Sequence, residues 1–226
     1  MEILKPFPNH YFQDLLLLTL PLTVTSIGKN AFSGCFSLKE IIIPSSVKSI
    51  ESYAFNCCEV LTNIKLPPSL ISIGDGAFYG CLSLQQIAIP SSVTSIGEKV
   101  FNGTDLKQIS FLASVKKILP FTFYGCPFVQ ITIPSSVTSI GNNAFERYLN
   151  LTKVEIPLSV TSIGDFAFQY CESLPKISIS SSVLSIGKGV FNGCTSLMEI
   201  TIPSSFNAHE IGVNSSVKVY ASRYHT

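Results

Sequence analysis

The chain has 226 residues, of which 46% are apolar and only 13% charged, with 15 basic against 14 acidic side chains and a net charge of +1. This balance excludes a long disordered chain, which is poor in apolar residues and rich in charge. It also offers nothing that draws the chain from a distance to nucleic-acid phosphates or to anionic lipid.

Residues 1–14 carry no repeat pattern and are expected to form an N-terminal cap or extension. The apolar run Leu15–Leu20 ends at Pro21, well short of the ~20 residues that a spanning helix needs. Asp14 stands at its mouth and Lys5 is the lone Lys or Arg before it, which is a poor pattern for a signal peptide. We therefore expect no membrane insertion and no signal peptide, with Leu15, Leu18 and Leu20 in a strand.

From there the sequence is periodic. Pro21, Pro44, Pro67 and Pro90 lie 23 residues apart, and Leu112, Pro134, Pro157, Ser180 and Pro203 follow at steps of 22, 22, 23, 23 and 23. The two short steps each lack one residue, just after Thr104 and just after Cys126. Residues 15–205 are thus an array of about eight repeats of 22–23 residues. Within a unit, Ile41 and Ile43 alternate as in a strand with one buried face. Val47-x-Ser-Ile50 is a second β-prone run. Gly28, Gly74, Gly97, Gly141, Gly164 and Gly187 follow that run, where a positive φ or a tight bend would call for them. Glu51 and Leu119 depart from the rule. No helical period persists, so two short strands per turn and at most a helical turn around Ala-Phe are expected.

The columns indicate what is buried. Phe32, Phe55, Phe78, Phe101, Phe123, Phe145, Phe168 and Phe191 recur once per repeat, behind small residues such as Ala31 and Ala54. They should stack as a spine, each burial worth roughly 1.5–3 kcal/mol. Ser46, Ser69, Ser92, Ser114, Ser136, Ser159, Ser182 and Ser205 form another column. Their hydroxyls are suited to backbone groups that a turn leaves unpaired, as scaffold rather than nucleophiles. Six of the seven cysteines share one repeat position and Cys57 is the extra one. With no C-x-x-C, they read as small buried side chains.

The pattern L-x-x-I-x-I-P-x-S-V-x-S-I-G-x-x-A-F-x-x-C over residues 15–205 resembles the BspA-like leucine-rich repeats, found in surface proteins of mucosal bacteria and parasitic protists. The resemblance implies a right-handed β-rich leucine-rich-repeat solenoid with little helix. It also implies a hydroxyl ladder at Ser46 in place of the asparagine ladder of ordinary leucine-rich repeats, and a role as a binding surface, in some members as an adhesin.

In such a solenoid the first strand lines the concave face. Its exposed columns would present Leu17, Glu40, Gln86, Gln108, Gln130, Lys153, Lys176 and Glu199 on one side. Ile42, Lys65 and Glu155 would stand on the other. Together with Leu16 these are the candidate partner-binding residues. The surface is polar and mixed in charge, which suits a protein (of host or matrix) or a glycan rather than a deep small-molecule site. Leu16, Leu17 and Ile42 would cluster as an apolar patch at one end, as a contact or under residues 1–14. Residues 206–226 lose the pattern, and Val217-Lys-Val-Tyr220 reads as a strand of a C-terminal cap.

His10, His209 and His225 lie at the two ends, so the serines and cysteines within the array have no histidine base at hand in sequence. No acidic pair recurs, no glycine fingerprint for phosphate is present, and Lys116-Lys117 is an isolated basic pair on a solvated face. We expect no enzyme, no cofactor and no metal. The expectation is a binding module at the cell surface or secreted. The sequons at Asn102, Asn150 and Asn214 agree with that compartment. The alternatives are a cytoplasmic scaffold, in keeping with unpaired cysteines, or a fragment without a dedicated partner.

Overall fold

The computed structural model describes residues 2–4, 16–111 and 115–222. The expectations placed on Leu15, His10, Leu112, Ser114, His225 and most of residues 1–14 therefore lie outside the described residues. The chain is a parallel β-solenoid, and among the described residues it contains no helix. By its contacts it divides into two compact units, Met1–Val115 and Lys116–Thr226.

The first unit holds β1 (Glu2–Leu4), β2 (Leu17–Thr19), β3 (Val24–Ile27), β4 (Glu40–Ile42), β5 (Ser49–Ile50), β6 (Asn63–Lys65), β7 (Ser72–Ile73), β8 (Gln86–Ile89), β9 (Ser95–Ile96) and β10 (Gln108–Phe111). The first strands of successive turns form the ladders β2-β4-β6 and β8-β10, and the second strands form β1-β3-β5-β7-β9. Every pairing is parallel and advances by one repeat: Leu17 faces Glu40, which faces Asn63, and Ile27 faces Ile50, which faces Ile73.

The second unit holds β11 (Lys117–Ile118), β12 (Gln130–Thr132), β13 (Ser139–Ile140), β14 (Lys153–Glu155), β15 (Ser162–Ile163), β16 (Lys176–Ser178), β17 (Ser185–Ile186), β18 (Glu199–Ile202) and β19 (Lys218–Ala221). Its second strands form β11-β13-β15-β17 and its first strands form β12-β14 and β16-β18-β19. The break between β14 and β16 has a chemical cause. Thr62, Thr152 and Met198 each donate their N–H to the equivalent residue one turn back, Lys39, Val129 and Pro175. Pro175 occupies that position in its own turn and has no N–H to give.

The phenylalanine spine stacks as the period requires. In the first unit Phe32, Phe55, Phe78 and Phe101 have ring centroids 5.2, 5.4 and 5.8 Å apart with planes 11°, 2° and 2° from parallel. In the second, Phe123, Phe145, Phe168 and Phe191 stack at 5.7, 5.2 and 6.0 Å. The Ala-Phe segment does not close into a helix because every second amide bonds outward, to the next turn, while those between close tight turns on the residue three back, as Ala54 does on Glu51 and Asn56 on Tyr53. Phe32 donates to the Ala54 carbonyl at 2.7 Å, Phe55 to Ala77 at 2.8 Å and Phe145 to Ala167 at 2.9 Å. This is a third ladder, and it uses the N–H groups that a helical turn would need.

The glycine column has a different cause from the expected one. Positive φ falls two residues before and two after each spine phenylalanine, as at Tyr53 (58°) and Cys57 (55°) or Phe166 (56°) and Tyr170 (57°), and not at Gly28, Gly74, Gly97, Gly141, Gly164 or Gly187. Those glycines are required by close approach: a Cβ on Gly74 would lie 2.6 Å from the Ser52 nitrogen and 2.8 Å from the Glu51 carbonyl carbon of the preceding turn. Glu51 stands in the same column, and its carboxylate accepts from Ser26 Oγ at 3.1 Å and from the Lys29 N–H at 3.0 Å.

The hydroxyl ladder is present. Ser69, Ser92, Ser159 and Ser182 donate to the carbonyls of Val47, Leu70, Val137 and Val160 in the preceding turn, at 2.8, 2.6, 2.6 and 3.2 Å. Ser46 Oγ is buried and makes no hydrogen bond. All seven cysteines are free, six of them buried and Cys57 half-buried. The thiols of Cys58, Cys81, Cys171 and Cys194 donate to the Phe carbonyl one turn back. Burial pushes the Cys81 and Cys171 thiols well up, so they stay protonated at neutral pH and unreactive.

Candidate interaction face

The first strands expose alternate side chains because their other set is committed to the core: β4, β12, β14 and β16 each read exposed–buried–exposed. In the first unit this exposes Leu16, Leu17, Glu40, Ile42, Lys65, Gln86 and Gln108, and in the second Gln130, Lys153, Glu155, Lys176 and Glu199. The register sets them in columns. Ile42 lies between Thr19 and Lys65, Gln86 faces Gln108, and Gln130 faces Lys153. Lys176 faces Glu199, which faces Lys218.

Lys218 and Tyr220 of β19 continue both columns of the second unit and are exposed. Sequence reasoning read this segment as a cap strand only, although one further turn of register would have placed both side chains on the face. Leu16 and Leu17 are 66% and 53% exposed and Ile42 48%, so an apolar patch stands at β2 and β4.

Hollows lie along the first strands of each unit. In the first unit one of about 650 Å³ runs between β4 and β6, past Glu40, Ile42 and Lys65. Another of about 590 Å³ lies between β6 and β8, bordered by Lys65, Ala88, Gln86 and Gln108. In the second unit one of about 610 Å³ lies between β14 and β16, bordered by Glu155, Ser178 and Thr201. Each of the last two coincides with an interruption of the ladder. The charges differ in how they are answered. Lys153 and Glu155 form an ion pair at 2.8 Å, each holding the other in its charged form. Lys65 has no carboxylate within ion-pair distance among the described residues.

The residues considered for chemistry are placed otherwise. His209 and Cys194 line one hollow of about 430 Å³ in the second unit, a proximity the sequence spacing did not suggest. Cys194 is 8% exposed, and its thiol donates to the Phe168 carbonyl at 3.2 Å, into the wall. Lys116 and Lys117 are exposed. Of the sequons, Asn150 and Asn214 are exposed, whereas Thr104 of the Asn102 sequon is buried and donates to the Phe101 carbonyl at 2.8 Å. Among the described residues no three His, Cys, Asp or Glu side chains converge as for a metal, and no helix is long and apolar enough to cross a membrane.

A family model described as the BspA type leucine-rich repeat region matches residues 7–127 and 116–216. Among solved structures, a leucine-rich repeat protein from Bacteroides ovatus is 28% identical with a TM-score of 0.69, over 93% of this chain and 67% of that one. The T. pallidum leucine-rich repeat protein is 27% identical with a TM-score of 0.56, over 95% of this chain and 100% of that one. The pneumococcal vaccine antigen PcpA, 22% identical with a TM-score of 0.50 over 92% of this chain and 68% of that one, is similar in fold. No curated protein matches the sequence.

Proposed function

We propose that this chain, which belongs to the BspA-type leucine-rich-repeat family, is a non-catalytic binding module that contacts a protein through its first-strand face. The observation that carries this reading is the set of exposed columns held in register by parallel ladders. Recognition needs side chains fixed in place before the partner arrives, because ordering them on contact costs affinity. A backbone bonded turn to turn meets that need, and short polar side chains on it suit a broad, wet contact more than an enclosed ligand.

Within this role we read the chain as a surface or secreted adhesion protein, in keeping with its family resemblance. A second reading, an intracellular scaffold, is favoured by the seven free cysteines, since thiols persist where the compartment is reducing. Antibody labelling of intact and permeabilised source cells separates the two. Labelling of intact cells is the expected result. Labelling only after permeabilisation overturns the adhesion reading and leaves the scaffold.

A further inference from the structure

The hollow between β6 and β8 has three properties that bear on what fills it. The ladder is interrupted there, and among the described residues no backbone hydrogen bond joins residues 62–66 to residues 85–89. Leu66 and Ile87 border the hollow although both residues are buried, and the main-chain groups of β6 and β8 that face each other lack ladder partners there, while the opposite edges of the two strands pair with β4 and β10. Its one charged neighbour is Lys65, an exposed cation with no carboxylate within ion-pair distance among the described residues.

The surroundings narrow the partner. Ala88 follows Lys65 in the column and is too short to cover it, while Ile42 precedes it, 48% exposed. Pro68, exposed at the rim, stands where the equivalent turns have Ser45 and Ser91. A cation flanked by apolar surface favours a carboxylate next to an apolar side chain, and the freed main-chain groups favour an extended backbone. A nucleic acid would need several cations, and this hollow has one. The equivalent hollow of the second unit makes the contrast: its Glu155 is already answered by Lys153.

We propose that the hollow between β6 and β8 takes an extended protein segment in which an acidic residue adjoins an apolar one, the carboxylate on Lys65 and the apolar side chain on Ile42 and Pro68. This rests on the reading of the first-strand face as the binding surface and names the chemistry of one site on it.

The test is selection of phage-displayed random dodecapeptides on the whole immobilised chain, with the selected peptides then synthesised. The expected peptides share Asp or Glu beside an apolar residue, and Lys65→Glu weakens them about tenfold or more. Ile42→Ser weakens them less, and Lys188→Glu, an exposed cation away from this face, leaves them unchanged. Unaltered circular dichroism and melting temperature show that each variant keeps its fold. Scrambled peptides of the same composition that bind equally well would reduce the effect to bulk charge and overturn the proposal. Peptides without a carboxylate, or ones indifferent to Lys65 but lost on Lys176→Glu, overturn it and leave the face reading standing. Peptides indifferent to every substitution on the first strands overturn both, and a library that yields no binder overturns the segment proposal.

Discussion

In the first unit the residue three places after each spine phenylalanine is Cys35, Cys58, Cys81 and then Thr104; in the second it is Cys126, Tyr148, Cys171 and Cys194. Both exceptions are buried polar groups, and they are treated differently. Thr104 Oγ1 donates to the Phe101 carbonyl at 2.8 Å, the carbonyl of its own turn. Tyr148 is fully buried, and its hydroxyl meets no oxygen or nitrogen partner, only the Cys126 thiol beside it. Burial pushes its phenol well above the ordinary range. Its ring stacks on Phe128 at 5.6 Å and meets Phe145 edge-on at 5.5 Å. Phe128 itself replaces a leucine, in the turn that lacks one residue after Cys126. The repeat therefore fixes the strands and the spine, while the space between them accepts a change of volume wherever two neighbouring turns change together.

The largest effect that tests this contrast is removal of a spine ring. Phe78→Ala and Phe145→Ala should each cost about 3–5 kcal/mol in urea unfolding, with Phe145 at the upper end because it also packs against Tyr148. A cost under about 1 kcal/mol would remove the spine from the core.

Next come the glycines. Gly74→Ala should cost about 1–3 kcal/mol, because the preceding backbone must shift. Gly125→Ala should cost about 1–2 kcal/mol through its positive φ alone, since nothing lies within 4 Å of its Cβ position. Asparagine, which tolerates positive φ, should recover most of the loss at Gly125 and none at Gly74; recovery at both would refute the close-approach account.

The smallest pair carries opposite signs. Thr104→Val should cost about 0.5–1.5 kcal/mol, and Tyr148→Phe should be neutral or gain up to about 1 kcal/mol, because its buried hydroxyl has only a weakly bonding thiol beside it. A loss at Tyr148 would reveal a bond to that hydroxyl.

The strands, spine and serine ladder were legible because each is a column, and a period converts sequence distance directly into contact. The glycines were misread because sequence alone does not separate a residue chosen for φ from one chosen for lacking a Cβ. Some of the true positive-φ sites are themselves glycines, such as Gly80 and Gly125, but others stand behind Tyr53, Phe121, Phe166 and Tyr170, residues that do not announce a left-handed backbone. The exposed face was legible from alternation along each strand. The hollows were not, because they follow from interruptions between turns, of which only Pro175 leaves a chemical mark in the sequence.

The side-chain hydrogen bonds between turns span 20 to 26 residues, as in Gln85 to Asp105 and Cys58 to Phe32. Among the described residues these bonds include no clasp between distant turns that tension would have to break. Within the second unit, a pull on the C-terminal end would strip β19 from β18 and then β18 from β16. Each turn released would add a tether of about 75–80 Å while leaving the turns behind it folded. A module gripped at one end while its face holds a partner would yield in steps and could rewind when the load falls.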